Sequence, residues 1–264
     1  MKDYRARYGP WAIVTGASSG IGEQFARQLA AKKLHLVLVA RRRDRLDALA
    51  AELIRDHAVE IRVVELDLAK PSAGATLEAA TKDLEIGLLI NNAGYGLKGD
   101  FVDLDRQEQL RMIDLNCRLP VELTHIYLPQ MIARRRGGLI IVASTAAFQG
   151  LPYTSLYAAT KGFEVIFAEG LYEELRPHHV DVIALCPGPT DTEGPRRTGV
   201  DPAKVPIKMM SPATVAQAAL DRLGQRTFII PGFANRFLYF LVRLLPRAFV
   251  TRTAGKSMRN IASG

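Results

Sequence analysis

Seven short runs rich in Val, Ile and Leu punctuate the chain, and helix-compatible stretches fill the intervals between them. The runs are Ala12 to Thr15, His35 to Ala40, Ile61 to Leu66, Ile86 to Asn91, Leu139 to Ala143, Val180 to Leu185 and Thr227 to Ile230. Most are apolar throughout rather than alternating, which is the pattern of strands buried on both faces. Strand alternating with helix in this way predicts an α/β fold, a mainly parallel sheet covered by helices on both sides. The chain has 264 residues and no internal repeat, low-complexity tract or linker-like run, so it reads as one continuous domain over 1–264.

The intervening segments carry helical patterns. Gly22 to Ala31 follows the first strand, and Arg43 to His57 places Leu46, Leu49, Ala50, Leu53 and Ile54 at three- and four-residue spacing, a one-sided apolar stripe. Asp105 to Arg135 and Tyr153 to Arg176 are long enough to offer a core face and an oligomer contact. Pro120 and Pro129 are expected to bend or divide the first of them.

The stretch after the first strand, Thr15-Gly16-Ala17-Ser18-Ser19-Gly20-Ile21-Gly22, leads into a helix. Glycines there let backbone N–H groups approach a pyrophosphate at the positive end of that helix, so Gly16, Ser18, Ser19, Gly20, Ile21 and Gly22 are candidate dinucleotide contacts. About twenty residues on, the second strand ends at Ala40 without the acidic residue that would receive a ribose 2′-hydroxyl, and Arg41 and Arg42 follow at once. Guanidinium groups bind a phosphate with paired charge-assisted hydrogen bonds. The expected cofactor is therefore NADP(H). Asp67, beside Leu68 after the third strand, is a candidate acceptor for the adenine amino group, and equally a turn former or first-turn helix residue.

Tyr157 and Lys161 stand four residues apart in a helical segment, so both project from one face. Such a pair arises by accident about 0.3 times in a chain of this make-up, and its company decides. Ser144 ends the fifth strand in Ile141-Val142-Ala143-Ser144, and strand C-terminal ends are where open α/β sheets place their ligands. A free phenol titrates near pH 10. An ammonium about 5 Å away, at an effective dielectric near 20, favours the phenolate by on the order of 3.3 kcal/mol. Lys161 can thereby make Tyr157 an acid/base, with Ser144 hydrogen-bonding the substrate oxygen. Ser144 lies outside any GxSxG elbow, which argues against a serine hydrolase.

Taken in order, TGASSGIG at Thr15 to Gly22, Asp67, NNAG at Asn91 to Gly94, Asn116, Ser144, the Tyr157/Lys161 pair and PGPTDT at Pro187 to Thr192 resemble the short-chain dehydrogenase/reductase family over Trp11 to Thr192. The resemblance implies a doubly wound Rossmann sheet in the order 3-2-1-4-5-6-7 and a catalytic tetrad of Asn116, Ser144, Tyr157 and Lys161. It further implies cofactor contacts at Asn92, Ala93 and Gly94 on the adenosine side, at Pro187, Gly188, Thr190 and Thr192 over the nicotinamide, and at Lys161 on the nicotinamide ribose, with Asn116 holding a water relay behind Lys161. Thr190 stands where the family often carries a branched aliphatic residue. The activity implied is hydride transfer between NADP(H) and a carbonyl or secondary alcohol, as reduction of a lipophilic ketone or ketoacyl substrate, with alcohol oxidation, or NADP binding at a membrane without turnover, as alternatives. Homodimers or homotetramers built on the two long helices are implied as well.

Charge and cysteine content narrow the partners. The formal charge is +8, yet the basic residues fall in short clusters with no nucleic-acid-binding motif, so no nucleic acid partner is expected. Cys117 and Cys186 are too few and too far apart for a zinc cluster or a redox pair, and no metal is expected. The opening MKDYRARYGP is charged, without a signal-like apolar core, which points to the cytoplasm.

Substrate selection is expected from the loop 193–210 and the extension 232–264. Within the extension, residues 233–250 interleave aromatic and aliphatic side chains with Arg236, Arg243 and Arg247. That pattern is too charged to span a bilayer and leaves three readings open: a core or subunit-contact helix, a lid over an apolar substrate, or peripheral membrane contact.

Overall fold

The computed structural model describes residues 3–194 and 208–262. The strands are β1 (Trp11–Thr15), β2 (His35–Ala40), β3 (Ile61–Glu65), β4 (Ile86–Asn91), β5 (Gly137–Val142), β6 (Val180–Leu185) and β7 (Phe228–Ile229). The helices are α1 (Tyr4–Tyr8), α2 (Gly20–Ala31), α3 (Arg43–His57), α4 (Ala73–Thr81), α5 (Arg106–Ile113), α6 (Leu119–Ala133), α7 (Ser155–Leu175), α8 (Pro212–Arg222), α9 (Phe233–Leu244) and α10 (Arg247–Ala262).

All seven strands pair in parallel in the order β3-β2-β1-β4-β5-β6-β7. Successive strand residues point to opposite faces, so Leu36 and Leu38 of β2 join one core with Phe25, Leu29, Leu46, Leu53 and Leu220. Val37 and Val39 join the other, with Leu77, Leu123, Tyr127, Val165 and Leu171. The apolar runs are unbroken because both faces are covered. Strand order reverses between β1 and β4, and such a reversal opens a crevice at the strand C-termini.

Boundaries differ from the sequence reading in instructive places. α2 starts at Gly20, two residues before the expected Gly22, because the Gly-rich turn itself winds into the first helical turn. The stretch 105–135 is divided, but ahead of Pro120 and not at Pro129. Pro120 has no N–H to offer the Asn116 carbonyl, and the chain widens there into a π-turn, Asp114–Arg118, in which Leu119 N–H donates to the Asp114 carbonyl five residues back. Pro129 lies inside α6 without ending it, and the bond it forfeits falls at the carbonyl of His125, an exposed residue. Of the loop 193–210, residues 195–207 lie outside the described residues.

Thr15 ties the reversal together. Its Oγ1 donates to the Ile90 carbonyl at 3.0 Å and accepts from the N–H groups of Asn92 and Ala93 at 2.9 and 3.0 Å. Asn92 Nδ2 returns a bond to the Thr15 carbonyl at 2.8 Å. Thr15→Val keeps the shape but leaves Ala93 N–H without its acceptor and Asn92 N–H with only the Ile90 carbonyl, at a cost of roughly 1–3 kcal/mol for the orphaned donor and less for the weakened one. Urea denaturation is expected to show the variant less stable by about 2–4 kcal/mol with an unchanged m-value.

Candidate active site

The C-terminal ends of β1, β4, β5 and β6 converge on the crevice. After β1, Gly16 and Gly20 take φ of +68° and +62°, a backbone that L side chains rarely adopt. The turn delivers Ser18 and Ser19 toward the first residues after β2. Arg42 Nη2 donates to Ser19 Oγ at 2.7 Å and to Ser18 Oγ at 2.9 Å, while Nη1 donates to Glu193 Oε2 at 2.7 Å. Arg45, one turn into α3, donates to Glu193 Oε1. Hydrogen bonds from Arg45 and Arg42 hold the Glu193 carboxyl down to about 2.

A carboxylate thus stands between two guanidinium groups, one of which also reaches two serine hydroxyls, and guanidinium groups are the donors a phosphate would use. Arg41 is exposed, and its charge is felt at Asp67. Burial raises the Asp67 carboxyl, but the Ala69 N–H, Arg111 and Arg41 outweigh it and leave it below its usual value. Asp67 accepts from Ala69 N–H at 3.2 Å, as a turn former does, and from Arg111 at 3.0 Å. Leu68 is buried beside it. Thr192, in the segment after β6, packs against Gly20, so this segment folds back onto the Gly-rich turn. Thr190 is buried, donates to the Gly188 carbonyl at 2.9 Å and bridges to Met210, while Gly188 abuts Asn235 of α9.

The second half of the crevice holds the acid/base candidates. Asn116 is fully buried in the π-turn; its Oδ1 accepts from Tyr95 N–H at 3.2 Å, and its Nδ2 donates to the Tyr95 carbonyl at 2.9 Å and to Thr160 Oγ1 at 3.0 Å. Lys161 Nζ donates to the Val142 carbonyl of β5 at 2.9 Å and meets both oxygens of Glu164 at 3.0 and 2.9 Å. Burial depresses the Lys161 ammonium, and the Glu164 carboxylate more than reverses that.

A side chain at Gly94 would touch Asn116 Oδ1 and Lys161 Nζ at 3.0 and 3.2 Å, which places the end of β4 against both. Lys161 Nζ lies 5.8 Å from the Tyr157 ring centroid. Gly96 lets that ring lie flat on the backbone, since a Cβ there would stand 2.9 Å from Tyr157 Cδ2. Ser144 is not the last residue of β5; it caps the 3-10 turn Thr145–Phe148, where its Oγ accepts from Ala146 N–H at 3.1 Å, and that turn packs on α7. Both cysteines are free thiols, and burial pushes Cys117 up to about 11 and Cys186 higher still. No cluster of metal-ligating side chains is present among the described residues.

The extension forms two helices parted at Leu245 and Pro246. α9 is anchored by Asn235, whose Nδ2 donates to the Pro231 carbonyl at 2.9 Å, and by Tyr239 against Phe148 and Phe228. α10 reaches the catalytic side, where Ala254 and Met258 pack with Tyr157, Ala146 and Leu151. A neighbouring cleft is lined by Leu97, Phe101, Leu104, Met112, Tyr153 and Leu156.

Sequence reasoning missed Arg45, Glu193, Glu164, Gly96 and the α10 pair Ala254 and Met258. Two signals were available: Arg45 follows Arg42 by three residues, and Glu164 interrupts an otherwise apolar run three residues after Lys161. Glu193 and α10 are long-range contacts with no local signature.

Residues 10–201 match the short chain dehydrogenase family. The chain is 32% identical over 234 residues to a 7beta-hydroxysteroid dehydrogenase of Clostridium sardiniense, spanning 89% of this chain and 90% of that protein. It is 28% identical over 266 residues to a very-long-chain 3-oxoacyl-CoA reductase of Anas platyrhynchos, spanning 97% of this chain and 84% of the other. A solved short-chain dehydrogenase from Sphingobium yanoikuyae in complex with NADPH shares the fold with a TM-score of 0.81 at 34% identity, over 89% of this chain and 93% of its own.

Proposed function

The chain belongs to the short-chain dehydrogenase family, and from that premise we propose which of its residues carry the oxidoreductase reaction and on what kind of substrate. The observation that carries the proposal is the meeting of Asn116, Tyr157 and Lys161 around Gly94 and Gly96 at the C-terminal end of β4. The cofactor is NADP(H), which when bound supplies or takes up a hydride.

The donor set fits that cofactor. Arg42 and Arg45 already hold the Glu193 carboxylate, Ser18 and Ser19 accept from Arg42 beside it, and these four side chains would hold the 2′-phosphate. Gly16, Gly20, Ile21 and Gly22 face the pyrophosphate. Asp67 and Leu68 flank the adenine, with Arg41 at its edge, and Asn92 to Gly94 line the adenosine side. Pro187, Gly188, Thr190 and Thr192 cover the nicotinamide, whose ribose Lys161 binds. Tyr157 donates its proton to the carbonyl oxygen as that oxygen gains charge, and retrieves it in the oxidative direction. Ser144 donates a hydrogen bond to the same oxygen. Lys161 stabilises the phenolate left behind, and Asn116 fixes the π-turn behind Lys161 and holds the water that resupplies the proton.

The substrate is a lipophilic ketone or ketoacyl compound. Its pocket walls are the apolar cleft beside Tyr153 and the α10 face that bears Met258. Outer-face residues of α6 and α7, including Val121 and Ile166 at 41% and 72% exposure, form the contact of a homo-oligomer that works in the cytoplasm.

A second observation favours delivery from a membrane surface. Phe233, Phe237, Phe240 and Leu244 lie at helical spacing on α9 and are 77%, 59%, 61% and 68% exposed. Arg236, Arg243, Arg247, Arg252 and Lys256 are exposed around them, and no acidic residue follows Asp221. No helix among the described residues is long and apolar enough to cross a membrane. An apolar ridge with a mainly cationic border, in which Glu169 is the acid felt by Arg243, suits the interface of an anionic bilayer.

Tyr157→Phe is expected to lower turnover by at least about a hundredfold with NADPH affinity within a few-fold of wild type, measured by fluorescence titration and NADPH absorbance. A rate close to wild type would remove the proton-exchange role. In flotation with phosphatidylserine vesicles the protein is expected to rise with the lipid, and Phe237→Glu with Phe240→Glu to stay behind. Equal behaviour of the two proteins, or a loss of oligomer in the variant, would assign the ridge to another contact.

A further inference from the structure

One turn after Lys161, on the same helix, stands a carboxylate that the proton exchange does not call for. Glu164 interrupts the apolar run Gly162-Phe163-Glu164-Val165-Ile166 and points inward. Its side chain is 3% exposed and that of Lys161 is 6%, with both carboxylate oxygens within 3.0 Å of Nζ. Among the described residues Lys161 is the cation facing Glu164. The other titratable groups that feel its charge are Cys117 from the π-turn and Cys186 after β6, each a neutral thiol, while the Tyr157 ring centroid stands 5.8 Å from Lys161 Nζ.

A buried ion pair is poor evidence of stability, because desolvation offsets much of the attraction. Its effect on the neighbouring phenol is more definite. Lys161 stabilises the Tyr157 phenolate, and the carboxylate paired with the ammonium offsets part of that charge. At an effective dielectric of about 20, a unit charge roughly 8 Å from any titrating group moves it by about one to one and a half pH units.

We propose that Glu164 is a positioning residue for this reaction: its carboxylate holds Lys161 against β5, screens the ammonium from Tyr157, and so extends upward the pH range over which Tyr157 remains the proton donor for carbonyl reduction. Glu164 exchanges no proton with substrate. Burial pushes its carboxyl up to about 7 even against the pull of Lys161. The sign follows from that: as pH rises through this range the carboxylate forms and its screening of the ammonium strengthens.

The proposal rests on the roles given above to Tyr157 and Lys161, and the experiment separates the two. The pH dependence of kcat/KM is recorded for ketone reduction with NADPH and for alcohol oxidation with NADP+, in wild type, Glu164→Gln and Glu164→Asp, alongside NADPH affinity. In Glu164→Gln the basic limb of reduction and the acidic limb of oxidation are both expected about one pH unit lower, with NADPH affinity within threefold of wild type. Glu164→Asp, which restores the charge, is expected to restore the limbs.

A uniform fall in rate at every pH with the limbs unmoved would overturn the proposal and make Glu164 a packing partner. Should Glu164→Gln fail to fold, Glu164→Met reads the same limbs without a polar amide. A wild-type protein that binds NADPH but turns over no carbonyl would instead defeat the assignment of Tyr157.

Discussion

An ammonium ion carried almost completely out of water survives only if its surroundings return the hydrogen bonds and the counter-charge that water supplied. Lys161 is such an ion, 5% exposed, and much of the crevice is disposed around it. β5 contributes the Val142 carbonyl and α7 contributes Glu164. Past the end of β4 the chain can approach because residue 94 is glycine, and the π-turn in the long helix presses Asn116 against the same backbone. Moving any of these elements would strand the charge. The position of Lys161, and with it that of Tyr157 one helical turn earlier, is therefore fixed by the register of the sheet rather than by a mobile loop.

The opposite half of the crevice answers to an anion. Arg42 and Arg45 converge because the first turn of α3 begins directly after β2, and Ser18 and Ser19 reach them because the Gly-rich turn begins directly after β1. Two basic side chains so close repel each other unless an acid lies between them. Glu193 fills that role from the segment after β6. Exchange of this carboxylate for a phosphate would leave both guanidinium groups paired and release Glu193 from them.

Local patterns made much of this readable. Unbroken apolar runs declared a sheet covered on both faces, and all seven appear as strands within a residue or two of the expected limits. The Gly-rich turn and the four-residue spacing of Tyr157 and Lys161 are written in contiguous sequence, where steric rules and helix periodicity operate directly. Other features depend on groups that meet only after folding. Asp105 to Arg135 reads as a helix bent by prolines, yet the break falls ahead of Pro120, where a missing N–H widens the turn that carries Asn116. Arg41 and Arg42 look equivalent in sequence, but it is Arg42 that reaches the serines and shares Glu193 with Arg45 from the first turn of α3. The extension has one strong amphipathic pattern and two destinations: the outer row of α9 remains exposed, while α10, of weaker pattern, reaches Tyr157.

These two halves and the apolar walls between them support one account, a reductase that draws on NADPH and accepts large apolar ketones. Its most direct test is a comparison of kcat/KM for NADPH and NADH across ketones and ketoacyl thioesters of increasing apolar size. The account predicts NADPH favoured by at least about tenfold, the worth of one charge-assisted contact, and efficiency that climbs with the apolar bulk of the substrate. Equal use of the two cofactors, or a preference for small polar carbonyls, would contradict it.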